Sequence, residues 1–92
     1  MYEKPTKLFN HFLNFYNIPY ILRPLYDGFQ WRFNWCGGDI IIHEGSYRNK
    51  EGYLESYNFP WDMDDVSVMT PYDMAICIHN FYEDLKKIEE DK

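Results

Sequence analysis

Apolar positions along the chain follow two different periods. Leu8, Phe9, Phe12, Leu13 and Tyr16 recur every three or four residues, which predicts an amphipathic helix from Pro5 to Tyr16 with His11 and Asn14 near its polar side. Asn17 suits a left-handed cap, and Ile18-Pro19 ends the helix because a residue before proline avoids the α region. Tyr20 to Tyr26 reads as a strand interrupted by Pro24, which places it at a sheet edge or on a bulge. Phe29, Trp31, Phe33 and Trp35 then alternate with Gln30, Arg32 and Asn34, the period of a strand with one buried face.

Asp27-Gly28 and Gly37-Gly38 bracket that run and predict two hairpin turns, the second of type I′, leading into Ile40–His43. The three runs form an antiparallel meander. Glu44 to Gly52 reads as a surface loop. Tyr53, Leu54 and Tyr57 fit a short strand or a helical turn, and in the irregular stretch Asn58–Asp65 the rings of Phe59 and Trp61 turn inward while the carboxylates face water. Val66–Met69 is a short strand-like run. Thr70-Pro71-Tyr72-Asp73 is a helix start, with Met74, Ile78, Phe81, Tyr82, Leu85 and Ile88 continuing at helical spacing to about Glu90. The predicted fold is α+β: a three- to four-stranded antiparallel sheet covered on one face by an N-terminal and a C-terminal amphipathic helix.

Ninety-two residues make one domain, 1–92, and an aromatic content of 21% lets so short a chain bury large area per side chain. Cys36 and Cys77 are too few for a disulfide framework and read as reduced thiols of a cytoplasmic protein. The start of the chain lacks a signal-peptide pattern, and no stretch approaches the roughly 20 apolar residues that span a bilayer, so no membrane partner is expected.

The net charge of −6 is localised. From Asp39 to Asp73 there are eight acids against Arg48 and Lys50, while the rest of the chain balances seven acids with seven bases. No basic stripe is present to neutralise phosphates, which disfavours direct nucleic-acid binding, and the acidic middle would draw a partner with a basic surface.

Chemistry at other positions is weaker. Asp62, Asp64 and Asp65 resemble the start of a calcium loop, but Val66 and Ser67 stand where it needs a ligand and a glycine. Cys36, Cys77, His11, His43 and His79 show no paired zinc spacing. Cys36 with His43 would make a thiolate pair, although a cysteine ending an aromatic strand is more often a small core residue. Trp31, Trp35, Tyr47 and Trp61 would stack on a nucleotide, with Arg32 or Arg48 taking its phosphate. The sequence implies no metal, cofactor or catalytic residue, and the chain reads as a non-enzyme.

The favoured reading is a protein-docking surface in which carboxylates alternate with aromatic anchors: Glu44, Tyr47, Glu51, Tyr53, Glu55, Tyr57, Trp61, Asp62, Asp64 and Asp65. Gly38-Asp39-Ile40-Ile41-Ile42-His43-Glu44-Gly45-Ser46-Tyr47, Gly52-Tyr53-Leu54-Glu55-Ser56, and Phe59-Pro60-Trp61-Asp62 with Asp65-Val66 resemble small proteins encoded by phages of Gram-positive bacteria. In size, acidity and tyrosine content the chain is also similar to phage inhibitors of host defence of the anti-CRISPR type, some of which mimic nucleic acid. That likeness implies an inhibitor, working in the host cytoplasm, of a CRISPR effector or another nuclease. A nucleotide-binding or signal-sequestering module is the alternative, and self-association through an edge strand or a leftover aromatic face is a third reading.

Overall fold

The computed structural model describes residues 1–90. Helix α1 (Glu3–Phe15) is followed by five strands, β1 (Ile21–Leu25), β2 (Gly28–Phe33), β3 (Gly38–Ile42), β4 (Leu54–Tyr57) and β5 (Ser67–Met69), and then by helix α2 (Pro71–Glu90). The strands form one antiparallel sheet in the order β1-β2-β3-β4-β5. The α+β class and the two flanking helices agree with the sequence pattern, whereas the strand count is five and not three to four. Leu54–Tyr57 is resolved as a strand by pairing with β3, where Ile40 faces Ser56 and Ile41 faces Glu55. A four-residue segment has too little periodicity to announce such a pairing.

Both predicted turns shift. The β1–β2 turn is centred on Tyr26-Asp27, with Leu25 paired to Gly28 and Tyr26 at φ +52°. The β2–β3 connection spans Asn34 to Gly37, with the N–H groups of Cys36 and Gly37 both donating to the Phe33 carbonyl. Within that connection only Gly37 has a positive φ. Gly38 belongs to β3, and its missing side chain serves packing: a Cβ there would sit on the Phe59 ring. Trp35 consequently leaves the strand. Its indole N–H donates to the Pro19 carbonyl at 2.9 Å and its ring packs beside Phe81 and Tyr82 of α2.

One face of the sheet carries Leu22, Trp31, Phe33, Ile40, Ile42, Leu54 and Ser56, and both helices close over it. Phe9 of α1 meets Trp31 edge-on at 4.9 Å, and the Trp31 indole donates to Asn10 Oδ1 at 2.7 Å, so the fully buried ring keeps its polar atom satisfied. Met74, Ala75 and Ile78 of α2 complete the core. α1 begins at Glu3, earlier than the proline-based expectation, because Pro5 still lies in the first turn, where an N–H has no helical partner to lose. α2 starts as expected: the Asp73 N–H donates to Thr70 Oγ1 at 3.2 Å.

Candidate functional site

The acidic segment divides into three places. Glu44 to Glu51 folds over one end of the sheet, β4 crosses the sheet, and Asn58 to Val66 folds over the other end, the two ends being separated by roughly 13 Å of strand.

At the first end, Glu44 and Tyr47 are exposed. The Glu44 N–H donates to Asp27 Oδ1 at 3.0 Å, and Asn49 accepts from the Tyr2 hydroxyl while donating to the Glu44 and Ser46 carbonyls. Burial, and after it the charges of Asp27 and Glu44, hold the Tyr2 phenol above its usual range. Arg48 lies 3.8 Å over the Tyr53 ring and binds Glu51 Oε2 at 2.6 Å. Glu51 and Tyr53 therefore spend their charge and ring face inside the chain.

On β4, Glu55 and Tyr57 point away from the helices. Glu55 is only 4% exposed, with Ile41 and Val68 directly opposite it on the adjacent strands. Burial, a hydrogen bond to Glu55 and the charges of Glu55, Asp65 and Asp62 push the Tyr57 phenol up to about 12. Asp39 faces Tyr57 across the β3–β4 ladder. Carboxylates thus surround this tyrosine.

At the second end, structure and exposure separate. The Trp61 ring lies parallel to Phe59 at 4.8 Å, and Asp62 accepts from the Ser56 hydroxyl at 2.9 Å and from the Phe59 N–H at 3.3 Å. Trp61 and Asp62 hold the fold. Met63 is 87% exposed and Asp64 and Asp65 stand in water beside it, with Asp65 Oδ1 accepting the Val66 N–H.

The ten expected docking residues are therefore not one patch. The structure gathers Glu55, Tyr57, Asp62 and Asp65, with Asp64 on the same turn, and leaves Glu44 and Tyr47 at the opposite end. Sequence reasoning missed Asp39, which the register brings beside Tyr57, and Met63, whose exposure between carboxylates was readable from its place in a run of aspartates.

The other candidate chemistry is dispersed. Trp31 is buried, Trp61 is stacked on Phe59, and Tyr47 stands at the far end, so these rings do not form one pocket with Trp35. Trp35 and Arg32 share only a shallow depression of about 280 Å³ with Pro19, Tyr20, Ile21 and Asn34. Cys36 and His43 lie beyond opposite ends of β3. Burial, then the charge of Asp39, pushes the Cys36 thiol up, against what a nucleophile needs, and His43 Nδ1 is occupied by the Gly45 N–H. Among the described residues, no group of three or more His, Cys, Asp or Glu side chains is placed to hold a metal ion, and no helix is long and apolar enough to cross a membrane.

Comparison with known protein families, curated proteins and solved structures finds no match to this chain.

Proposed function

We propose that the chain is a binding module that captures a basic protein surface with the end of its sheet formed by Tyr57 and the turn Met63–Asp65. The observation that carries this reading is the geometry of the turn past β4: Met63 is 87% exposed and Asp64 and Asp65 stand in water on the same turn, clear of the contacts that commit Asp62 to the fold. Exposed carboxylates on one turn set up a negative field that draws a basic surface. Met63, exposed between Asp62 and Asp64, supplies an adaptable apolar contact at the centre of the charged turn.

The partner class that fits is a nucleic-acid-handling enzyme of a bacterial host, a CRISPR effector or another nuclease, whose phosphate channel is basic. The carboxylates would occupy positions that phosphates take, and the chain would act as a phage-type inhibitor. This is consistent with the concentration of net negative charge between Asp39 and Asp73. The experiment is inhibition of candidate host nucleases by the chain and by a variant with Asp64→Asn and Asp65→Asn. The wild-type chain inhibits in a salt-dependent manner and the double variant does so several-fold less well. Equal inhibition by both chains removes the acidic turn from the account.

A further inference from the structure

A shallow depression of about 310 Å³ lies between helix α2 and the start of the turn that follows β4, lined by Pro60, Trp61, Cys77, Asn80, Phe81 and Asp84. Its four α2 residues fall at i, i+3, i+4 and i+7, so they form one stripe along the helix. Trp61 rests on Phe59 with parallel rings 4.8 Å apart, which leaves its opposite face for the depression. Phe81 stands at 83° to Trp61 with centroids 6.0 Å apart, and is held in turn by Phe59 and Trp35. The two rings form a corner that packing against the core fixes in place.

Asp84 is the one charged side chain in this lining, is exposed, and forms no ion pair among the described residues. Lys87, about one turn further along α2, is not part of the lining. At the other end of the stripe, burial and then the charge of Asp73 push the Cys77 thiol up, so Asp73 acts on the same groove. The groove is negative at both ends and aromatic between them. We propose that the Trp61–Phe81 corner takes the guanidinium group of an arginine side chain, its plane on the open Trp61 face and its N–H groups on the Asp84 carboxylate. This rests on the docking function proposed above and names the side chain that the partner's basic surface supplies. Trp61 directly precedes Asp62 and Met63 in the chain, so an arginine seated here belongs to the surface that meets the acidic turn.

The chemistry of the corner separates arginine from lysine. A guanidinium is planar and weakly hydrated, stacks on an indole, and offers a fork of N–H groups that matches both oxygens of one carboxylate. An ammonium is a compact, strongly hydrated charge that gives up water against two rings and gains no plane-to-plane contact. Asn80 adds an amide oxygen for a further N–H. The rings are in place before a ligand arrives, which keeps the ordering cost low, but the depression is shallow. A single arginine side chain therefore binds in the millimolar range, and the affinity of a whole partner adds the contacts of the acidic turn.

Titration of the full chain with blocked arginine amide, followed by heteronuclear NMR, tests the proposal against two controls: blocked citrulline amide, the neutral isostere, and blocked lysine amide. The expected result is a saturable shift of the Trp61 indole N–H and of the backbone amides from Cys77 to Asp84. Citrulline produces no such shift and lysine binds several-fold more weakly. Asp84→Asn, at an exposed position, weakens arginine binding several-fold, whereas Glu89→Gln, which removes an equal charge outside the depression, leaves it unchanged. Absence of the shift with arginine overturns the proposal. So does equal binding of citrulline or lysine, or an affinity that Asp84→Asn does not change. The titration involves no partner protein, so its failure leaves the acidic turn to be judged separately by the Asp64→Asn, Asp65→Asn variant.

Discussion

The indole N–H of Trp61 donates to the Ser56 hydroxyl at 3.1 Å, and Ser56 itself donates to Asp62. Ser56 is fully buried on the helix-covered face of β4, so this relay bolts the turn that carries the acidic residues onto the core. Ser67 adds to it by donating to the Trp61 carbonyl at 3.2 Å. Ser56→Ala strips Trp61 of its acceptor and Asp62 of one donor. The expected loss is about 1–3 kcal/mol in chemical denaturation, with Asp64→Asn within about 0.5 kcal/mol of wild type. Equal effects of the two substitutions would show that the relay holds nothing together.

Gly38→Ala places a methyl group on the Phe59 ring, which is buried, stacked on Trp61 and met edge-on by Phe33. Destabilisation of about 1–3 kcal/mol is expected, with partial recovery when Phe59→Leu is added. For a domain of this size that corresponds to a fall in Tm of roughly 4–24 °C. An unchanged Tm for the single variant would place the ring elsewhere.

Tyr57 gives a pH dependence with a defined sign. Its folded-state pKa of about 12 lies above the ordinary 10.0, so the folded chain holds the phenolic proton more tightly than the unfolded chain. The stability this contributes is fully present below pH 10 and is lost as pH rises toward 12. Titration of phenolate absorbance, compared between wild type and Tyr57→Phe, is expected to show the missing step at the alkaline end. A missing step near pH 10 would mean that neither burial nor the carboxylates bear on this hydroxyl.

Much of the fold was legible because the long elements carry strong periods. The spacing of Phe9, Leu13 and Tyr16 announced α1, Thr70-Pro71 announced α2, and the alternation through Phe33 announced β2. The turns were less legible because glycine has two uses. Gly38 reads as a turn residue, but the requirement comes from Phe59, twenty-one residues away in sequence. β5 was legible as the strand-like run Val66–Met69, whereas β4 read equally as a strand or a helical turn, because at four residues it is settled only by pairing with β3 and β5.

The candidate site was legible in composition and not in geometry. Charge counting located the acidic segment. It gave no sign that Arg48 would cover Tyr53 and Glu51, that Asp62 would be committed to Ser56 and Phe59, or that β4 would hold the two ends of the segment apart. Replacing all three of Asp62, Asp64 and Asp65 would therefore mix a folding defect with a binding defect, whereas replacing only Asp64 and Asp65 tests binding.

The most direct test of acidic docking is quantitative capture from bacterial lysate, using the wild-type chain and the Asp64→Asn, Asp65→Asn variant as baits at low and high salt. The account predicts one nucleic-acid-handling enzyme enriched on the wild-type bait, and reduced several-fold both by the variant and by salt. Recovery of the bait alone, or of the same proteins in the same amounts on both baits, would contradict it.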